Sequence, residues 1–325
     1  MAYGLVSASS TAAWGHLVRV NLSTGKTTNG PFVFTDAELA TVGNAVAVLE
    51  PRSVSVASDG QLAPSTVEGL EELYLISPGA AQFGRGVLLR ALGHAQMFRV
   101  APNNPTSAGG VWLAIGQTPV LFSATTGKIL RRLQPLPAPI TSMVVAPNAR
   151  LLYAEIVSNG RPVVLNTVDE IDATSGRVLV SHSLGYAAGA DVEASSNSGV
   201  WVGIGYGMGG TMEHLSASEL RPTPLGGPRG ESLGGSNDES VTLLGGTAWL
   251  YSTAGIVCTD PSGRVEHAGE WFAGVVSGSR VNLGGATNPF VPLAVSHKVL
   301  YGVRQVGRGT APFGIVRVTV PSSCW

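Results

Sequence analysis

Three stretches of the chain carry residue types at spacings that chemistry uses. Gly230 to Gly234 reads Gly-Glu-Ser-Leu-Gly, the Gly-x-Ser-x-Gly pattern in which a strained strand-to-helix turn exposes a serine hydroxyl. It sits in "GGPRGESLGGSNDES" with no helical pattern after it, so Ser232 is read as a loop residue. Gly205 to Gly210 reads Gly-Tyr-Gly-Met-Gly-Gly and matches Gly-x-Gly-x-x-Gly. A dinucleotide site also needs a helix N-terminus aimed at the pyrophosphate, and here a tight connection between strands is expected instead. "VDEIDATSG" offers Asp169, Glu170 and Asp172 without the spacing of a calcium loop, and Asp172 is read as a turn residue accepting local N–H bonds. The six histidines, His16, His94, His182, His214, His267 and His297, form no close pair of metal-ligand spacing. Eight further residues have useful chemistry but lie far apart in sequence: His94, Gln96, Thr141, Asp191, Asn237, Asp238, Glu239 and Asn288. Carboxylates and amides of this kind hold a cation or a hydroxyl-rich ligand only where the fold gathers them.

Composition narrows what that fold can be. The chain has 325 residues, of which 44% are hydrophobic, 13% are charged and 43 are glycine. A formal net charge of −1 argues against nucleic acid as a partner, because phosphate neutralisation needs clustered Lys and Arg. No apolar run approaches the length that spans a bilayer. Two cysteines, Cys258 and Cys324, are too few for a disulfide framework. They are read as unreactive thiols, with a single bridge near the C-terminus as the alternative. Met1-Ala2-Tyr3 opens in strand-like sequence with no leader, which suggests a chain whose export signal has been removed. Arg outnumbers Lys seventeen to three, a bias associated with GC-rich bacterial genomes.

The organising feature is a repeat. A strand, a turn with a polar residue before glycine, and another strand recur in "RVNLSTGKTT", "LFSATTGKIL", "EIDATSGRVL" and "VCTDPSGRVE". "YLISPGAAQF" and "HLSASELRPT" are looser copies. Glycine supplies the positive φ that such turns require. A second pattern precedes each of these, a strand pair with an aromatic near the start of its second member. Those aromatics are Tyr3, Trp112, Tyr153, Trp201, Trp249 and Tyr301, and their repetition predicts packing between neighbouring modules. Combined, the patterns give four-stranded units starting near residues 1, 43, 94, 138, 188, 237 and 287. In the second unit "NAVAVLEPRSVSVAS" is the expected first hairpin and "DGQLAPSTVEGLEEL" a long loop. "YGLVSASSTAAWGHLVRVNL" and "YGVRQVGRGTAPFGIVRVTV" resemble each other because the first unit lacks its first strand and the last lacks its fourth.

The phrases "IDATSGRVL" and "SATTGKIL" resemble the YVTN and quinoprotein-like β-propeller repeats. The resemblance covers almost the whole chain and bears on architecture. The expectation is one all-β domain over residues 1–325: a seven-bladed propeller of four-stranded antiparallel blades, with six or eight blades as alternatives. Radial repetition of this kind protects sheet edges.

In a propeller the connections into the first strands surround the channel mouth. That geometry would gather His94, Gln96, Asp191, Asp238, Glu239 and Asn288, with Thr141 and Asn237, around one opening as a ligand site. The favoured function is a non-catalytic, extracytoplasmic scaffold, secreted or periplasmic, that binds a protein or hydroxyl-rich ligand on one face. The alternative is a propeller enzyme at the same mouth. It would be a metal-dependent lactonase or lyase using Asp191, Asp238, Glu239 and Asn288, or, as a further alternative, a quinone-dependent dehydrogenase. The sequence specifies neither a cofactor nor a metal.

Overall fold

A computed structural model of the chain describes residues 2–7, 14–34, 37–42, 45–51, 54–56, 62–64, 71–76, 86–93, 98–101, 110–160, 163–185, 189–206, 209–223, 240–244, 247–252, 255–259, 275–276, 279–280, 291–296, 299–305 and 313–319. Among the described residues every regular element is a β-strand, and all pairing is antiparallel. None is a helix long and apolar enough to cross a membrane.

The first sheet joins β1 (Ala2–Ser7), β2 (Trp14–Val20) and β3 (Thr27–Phe34). The second begins with β4 (Glu38–Val42) and β5 (Ala45–Pro51). The chain then makes a separate hairpin of β6 (Val54–Val56) and β7 (Leu62–Pro64). It returns through β8 (Glu71–Ile76) and β9 (Val87–Gly93), giving the order β4-β5-β8-β9. The third sheet is β10 (Phe98–Val100), β11 (Gly110–Ile115), β12 (Thr118–Ser123) and β13 (Ile129–Arg132). The fourth is β14 (Ile140–Val145), β15 (Leu151–Gly160), β16 (Val163–Asp172) and β17 (Val178–Gly185). The fifth is β18 (Gly189–Ser196), β19 (Gly199–Tyr206), β20 (Gly209–Ser216) and β21 (Pro222–Thr223). The sixth holds β22 (Ser240–Leu244), β23 (Thr247–Ser252) and β24 (Gly255–Thr259). A short hairpin, β25 (Val275–Val276) with β26 (Ser279–Arg280), precedes the seventh sheet. That sheet is β27 (Val291–Ser296), β28 (Val299–Gln305) and β29 (Phe313–Thr319). Among the described residues no sheet closes on itself by hydrogen bonding.

The second unit differs from the sequence reading. Its sheet starts at Glu38, not near residue 43, and β5 pairs with β4 on one side and β8 on the other. Val42 faces Ala45 across a two-residue connection, Gly43-Asn44, a composition that suits a tight hairpin. "VSV" (54–56) is not the second strand of a first hairpin. It pairs with Leu62–Pro64, inside what was expected to be a loop.

The strands pack because alternate side chains leave opposite faces of each sheet. In the fourth sheet, Leu152, Ala154 and Ile156 meet Trp112, Leu121 and Leu133 of the third sheet and the segment after it. Tyr153 and Val168, on the other face, meet Val192, Val200 and Val202 of the fifth. Apolar clusters of the same kind join the first sheet to the second, the second to the third and the fifth to the sixth. Val20 of β2 packs with Ala294 of β27 and Tyr301 of β28, so the last sheet lies against the first. The series of aromatics is the centre of this packing. Trp112, Tyr153, Trp201, Trp249 and Tyr301 are buried in the second strands of their sheets. Tyr3 is half-buried in β1. Each such ring removes roughly 150–250 Å² from water, which makes the face-to-face contact the main source of stability.

The repeated turn has one hydrogen-bond pattern in four sheets. The N–H of Gly25, Gly127, Gly176 and Leu220 donates to the carbonyl of Asn21, Ser123, Asp172 and Ser216 at 2.7–2.9 Å. In three of them the first residue also caps the turn. Asn21 Oδ1 accepts from Ser23 N at 3.0 Å, Ser123 Oγ from Thr126 N at 3.1 Å, and Asp172 Oδ1 from Thr174 N at 2.9 Å. Gly25, Gly127 and Gly176 stand at φ of +69°, +62° and +76°. In the loose fifth copy Leu220 takes a φ of 48° instead, a strained choice for a branched side chain.

Candidate functional site

Of the residues expected to line one opening, Asp191 and Thr141 are described. His94, Gln96, Asn237, Asp238, Glu239 and Asn288 lie outside the described residues. Asp191 is the third residue of β18 and is exposed. Thr141 is half-buried in β14, at a register irregularity between Ile140 and Ser142. Its Oγ1 donates to the carbonyl of Glu155 at 3.3 Å.

The two first strands of the fourth and fifth sheets are tied together by side chains. Val192 N donates to Ser142 Oγ at 2.7 Å, and Ser195 Oγ donates to the carbonyl of Val145 at 2.6 Å. These bonds bring the start of β18 beside β14 and β15, and β15 and β18 are themselves in contact.

Glu155 is the residue that this arrangement isolates. It stands across from Ser142 on β14 and Val168 on β16, on the face that carries Tyr153 towards the fifth sheet. The side chain is 0% exposed, and neither carboxylate oxygen has a hydrogen-bond partner. Burial, followed by the negative charge of Asp191, pushes its pKa from the ordinary 4.5 to about 8. A buried carboxylate without donors is held protonated by desolvation, so at neutral pH Glu155 is an uncharged acid next to an exposed acidic side chain. Sequence reasoning missed it. The available signal was a single carboxylate inside the apolar strand "LLYAEIV", where a charge has no solvent to face.

The acidic run Asp169, Glu170 and Asp172 does not act as a cluster. Asp169 lies across from Ala154 and Glu170 from Tyr153, so their side chains leave opposite faces of β16. Asp169 accepts from Ser181 Oγ at 2.6 Å, and burial raises its pKa. Glu170 Oε2 accepts from the N–H of Ser218 in the fifth sheet at 3.0 Å. The Tyr153 hydroxyl is also hydrogen-bonded to Glu170, and its pKa is raised by burial first and by that carboxylate second. Asp172 is a turn residue as expected. The N–H and hydroxyl of Ser175 and the N–H of Thr174 hold its carboxyl below the usual range. A second pair of buried carboxylates, Glu50 and Glu72, lies across from each other on β5 and β8, and the Tyr74 hydroxyl donates to Glu72.

The remaining sequence candidates divide in the same way. Gly205 and Gly210 face each other across the β19–β20 hairpin, which is the strand connection expected there. Ser232 lies outside the described residues. His214 is buried in β20, edge-on to Trp201 at 5.1 Å and hydrogen-bonded to Thr223 Oγ1 at 3.1 Å. His16 and His182 occupy β2 and β17, while His94, His267 and His297 lie outside the described residues. Among the described residues no group of three or more His, Cys, Asp or Glu side chains is placed to hold a metal ion.

Cys258 is disulfide-bonded, contrary to the reading of unreactive thiols. The sequence holds one other cysteine, Cys324, outside the described residues. Cys258 is buried opposite Trp249 in the sixth sheet. No protein-family model matches the chain, and no curated protein is significantly similar to it.

Proposed function

We propose that the chain is a seven-bladed β-propeller that works outside the cytoplasm as a binding scaffold, with a ligand face at the first strands of its blades. One observation carries the reading. The first strands β4, β10, β14, β18, β22 and β27 contact one another in succession, and β27 contacts β1. Seven sheets of three or four strands, each packed on the next and the last on the first, are what radial repetition produces. Among the described residues the first, sixth and seventh sheets have three strands, and in the first and seventh this agrees with one blade lacking its first strand and one lacking its fourth. The bonded Cys258 supports an oxidising compartment, hence a secreted or periplasmic location.

On that arrangement the exposed Asp191 borders the central opening, and the expected partners there are His94, Gln96, Asp238, Glu239 and Asn288. Carboxylates and amides converging on one mouth suit a hydroxyl-rich ligand or a polar protein segment. A thermal-shift screen of oligosaccharides, polyols and basic peptides against the full chain tests the site. Hits whose Tm gain disappears in Asp191→Asn but survives Arg317→Ala, at an exposed position of β29, support it. Hits indifferent to Asp191 overturn it.

A catalytic reading has one observation in its favour. Glu155 holds a proton to about pH 8 beside the Asp191 carboxyl, and a carboxyl kept protonated at neutral pH is a general-acid candidate. On this reading the protein is a lactonase or lyase, with Asp191, Asp238, Glu239 and Asn288 as the metal-binding set. Metal analysis of protein purified without chelator separates the two. A stoichiometric divalent ion lost in Asp191→Asn favours the enzyme, and less than a tenth of an equivalent, unchanged on soaking, removes it.

A further inference from the structure

Charge along this chain is unevenly distributed. Between Glu72 and Glu155 there is no Asp or Glu, while Arg85, Arg90, Arg99, Lys128, Arg131, Arg132 and Arg150 fall within the same span. The whole third sheet lies in that span. Its last strand, β13, pairs with β12 alone among the described residues and forms the edge of the sheet there. All four of its residues, Ile129, Leu130, Arg131 and Arg132, are exposed. Leu130 and Ile129 leave 50% and 39% of their surface in water. Both faces of this strand and its open main-chain edge are therefore accessible.

An exposed apolar edge strand is a template for another strand. The charge and the open edge select which one. A second copy pairing through the same edge would oppose Arg131 and Arg132 with their own like, which is destabilising. Lipid hydrocarbon offers no partner to the unpaired N–H and C=O groups, and open sheet edges do not enter it. An extended peptide with acidic and apolar residues satisfies the main chain, Arg132 and the two aliphatic side chains together.

We propose that β13 is a docking edge at which an acidic, extended segment of a partner protein adds as a fifth strand of the third sheet. Main-chain hydrogen bonds provide the pairing, and alternate side chains provide selectivity. Arg132 lies across from Val120 and Arg131 across from Leu121, so the two guanidinium groups start from opposite faces of the sheet. Arg131 Nη1 already donates to the carbonyl of Ala173 beside the fourth sheet at 2.6 Å, and its charge helps hold the Asp172 carboxyl ionised, so its guanidinium is engaged within the molecule. Arg132 is the freer contact. The inference stands on the β13 edge alone, so its failure leaves the reading of the first-strand face untouched.

The test uses the full chain and three probes: a capped Asp-Val alternating octapeptide, the same peptide with proline at alternate valines, and vesicles of phosphatidylglycerol and phosphatidylcholine. Fluorescence anisotropy is expected to show saturable binding of the Asp-Val peptide, weakened more than tenfold between 50 and 500 mM salt (about, given the number of charges engaged). Amide hydrogen exchange is expected to slow at residues 129–132. Arg132→Glu should weaken binding at least tenfold. Leu130→Pro, at the register irregularity of β13 between Ile129 and Arg131 and checked for an unchanged circular dichroism spectrum, should abolish it by removing a main-chain donor. Equal binding of the proline peptide means attraction by charge only and overturns the proposal. So does binding to vesicles without binding to the peptide, concentration-dependent self-association that Arg132→Glu removes, or slowed exchange elsewhere with β13 unchanged.

Discussion

Glu155 is the residue with most at stake, because its environment fixes its protonation. Folding holds this proton to higher pH than the unfolded chain does, raising the pKa from 4.5 to about 8. The folded state therefore binds more protons than the unfolded one between those limits, and stability falls as pH rises through them. Each unit is worth about 1.4 kcal/mol, so the loss by pH 9 is on the order of a few kcal/mol. Glu155→Gln should match the wild type near pH 4.5, exceed it in Tm at pH 9 and flatten the intervening slope. Chemical denaturation across that pH series measures it. Gly127 is constrained in a different way. At φ +62° a methyl group on it would meet the main-chain carbonyl of Leu89 in the second sheet. Gly127→Ala should cost about 2 kcal/mol or more, read from urea midpoints, whereas Gly116→Ala, with open space around it, should cost only the strain of its positive φ.

At the scale of elements, what needs explaining is how separate sheets become one body. Side chains from the first strand of one sheet reach the main chain of the next, as Ser142 and Ser195 do between the fourth and fifth. Ser142→Ala leaves the Val192 N–H without its acceptor and should cost about 1–3 kcal/mol, with faster amide exchange at Val192 as the specific signature. The turn that precedes β3, β13 and β17 was legible beforehand, since polar-Gly pairs recur at Thr24-Gly25, Thr126-Gly127 and Ser175-Gly176. The second unit was not. The pairing of Val42 with Ala45 was overlooked, and a strand-like "VSVAS" attracted the pairing that β4 in fact supplies. Local β-propensity cannot decide between partners, because it measures fitness for a pleated surface and not which surface is adjacent.

For the molecule as a whole, the first and last sheets are in contact, and that contact is where cooperativity is tested. Tyr301 is buried against Val20, and a methyl group at Gly25 would meet its hydroxyl at 3.7 Å and Arg317 Nη1 at 3.2 Å. Tyr301→Ala should lower stability by about 3–5 kcal/mol while unfolding stays a single transition by circular dichroism and tryptophan fluorescence. Two separated transitions would mean that the ends are not part of one cooperative unit. Cys258→Ser should cost about 2–4 kcal/mol, and the wild type should show the same loss on reduction. By itself the sequence determined the all-β class, the recurring turn, the burial of Trp112, Tyr153, Trp201 and Trp249, and the turn role of Asp172. All of these follow from spacing within one or two strands, where side-chain alternation and the positive φ of glycine act locally. Only the tertiary structure decided that Glu155 loses its solvent beside Asp191, that Asp169 and Glu170 face different sheets, and that Cys258 is bonded. Burial and proximity between strands far apart in sequence depend on how whole sheets stack, and no residue carries that information alone.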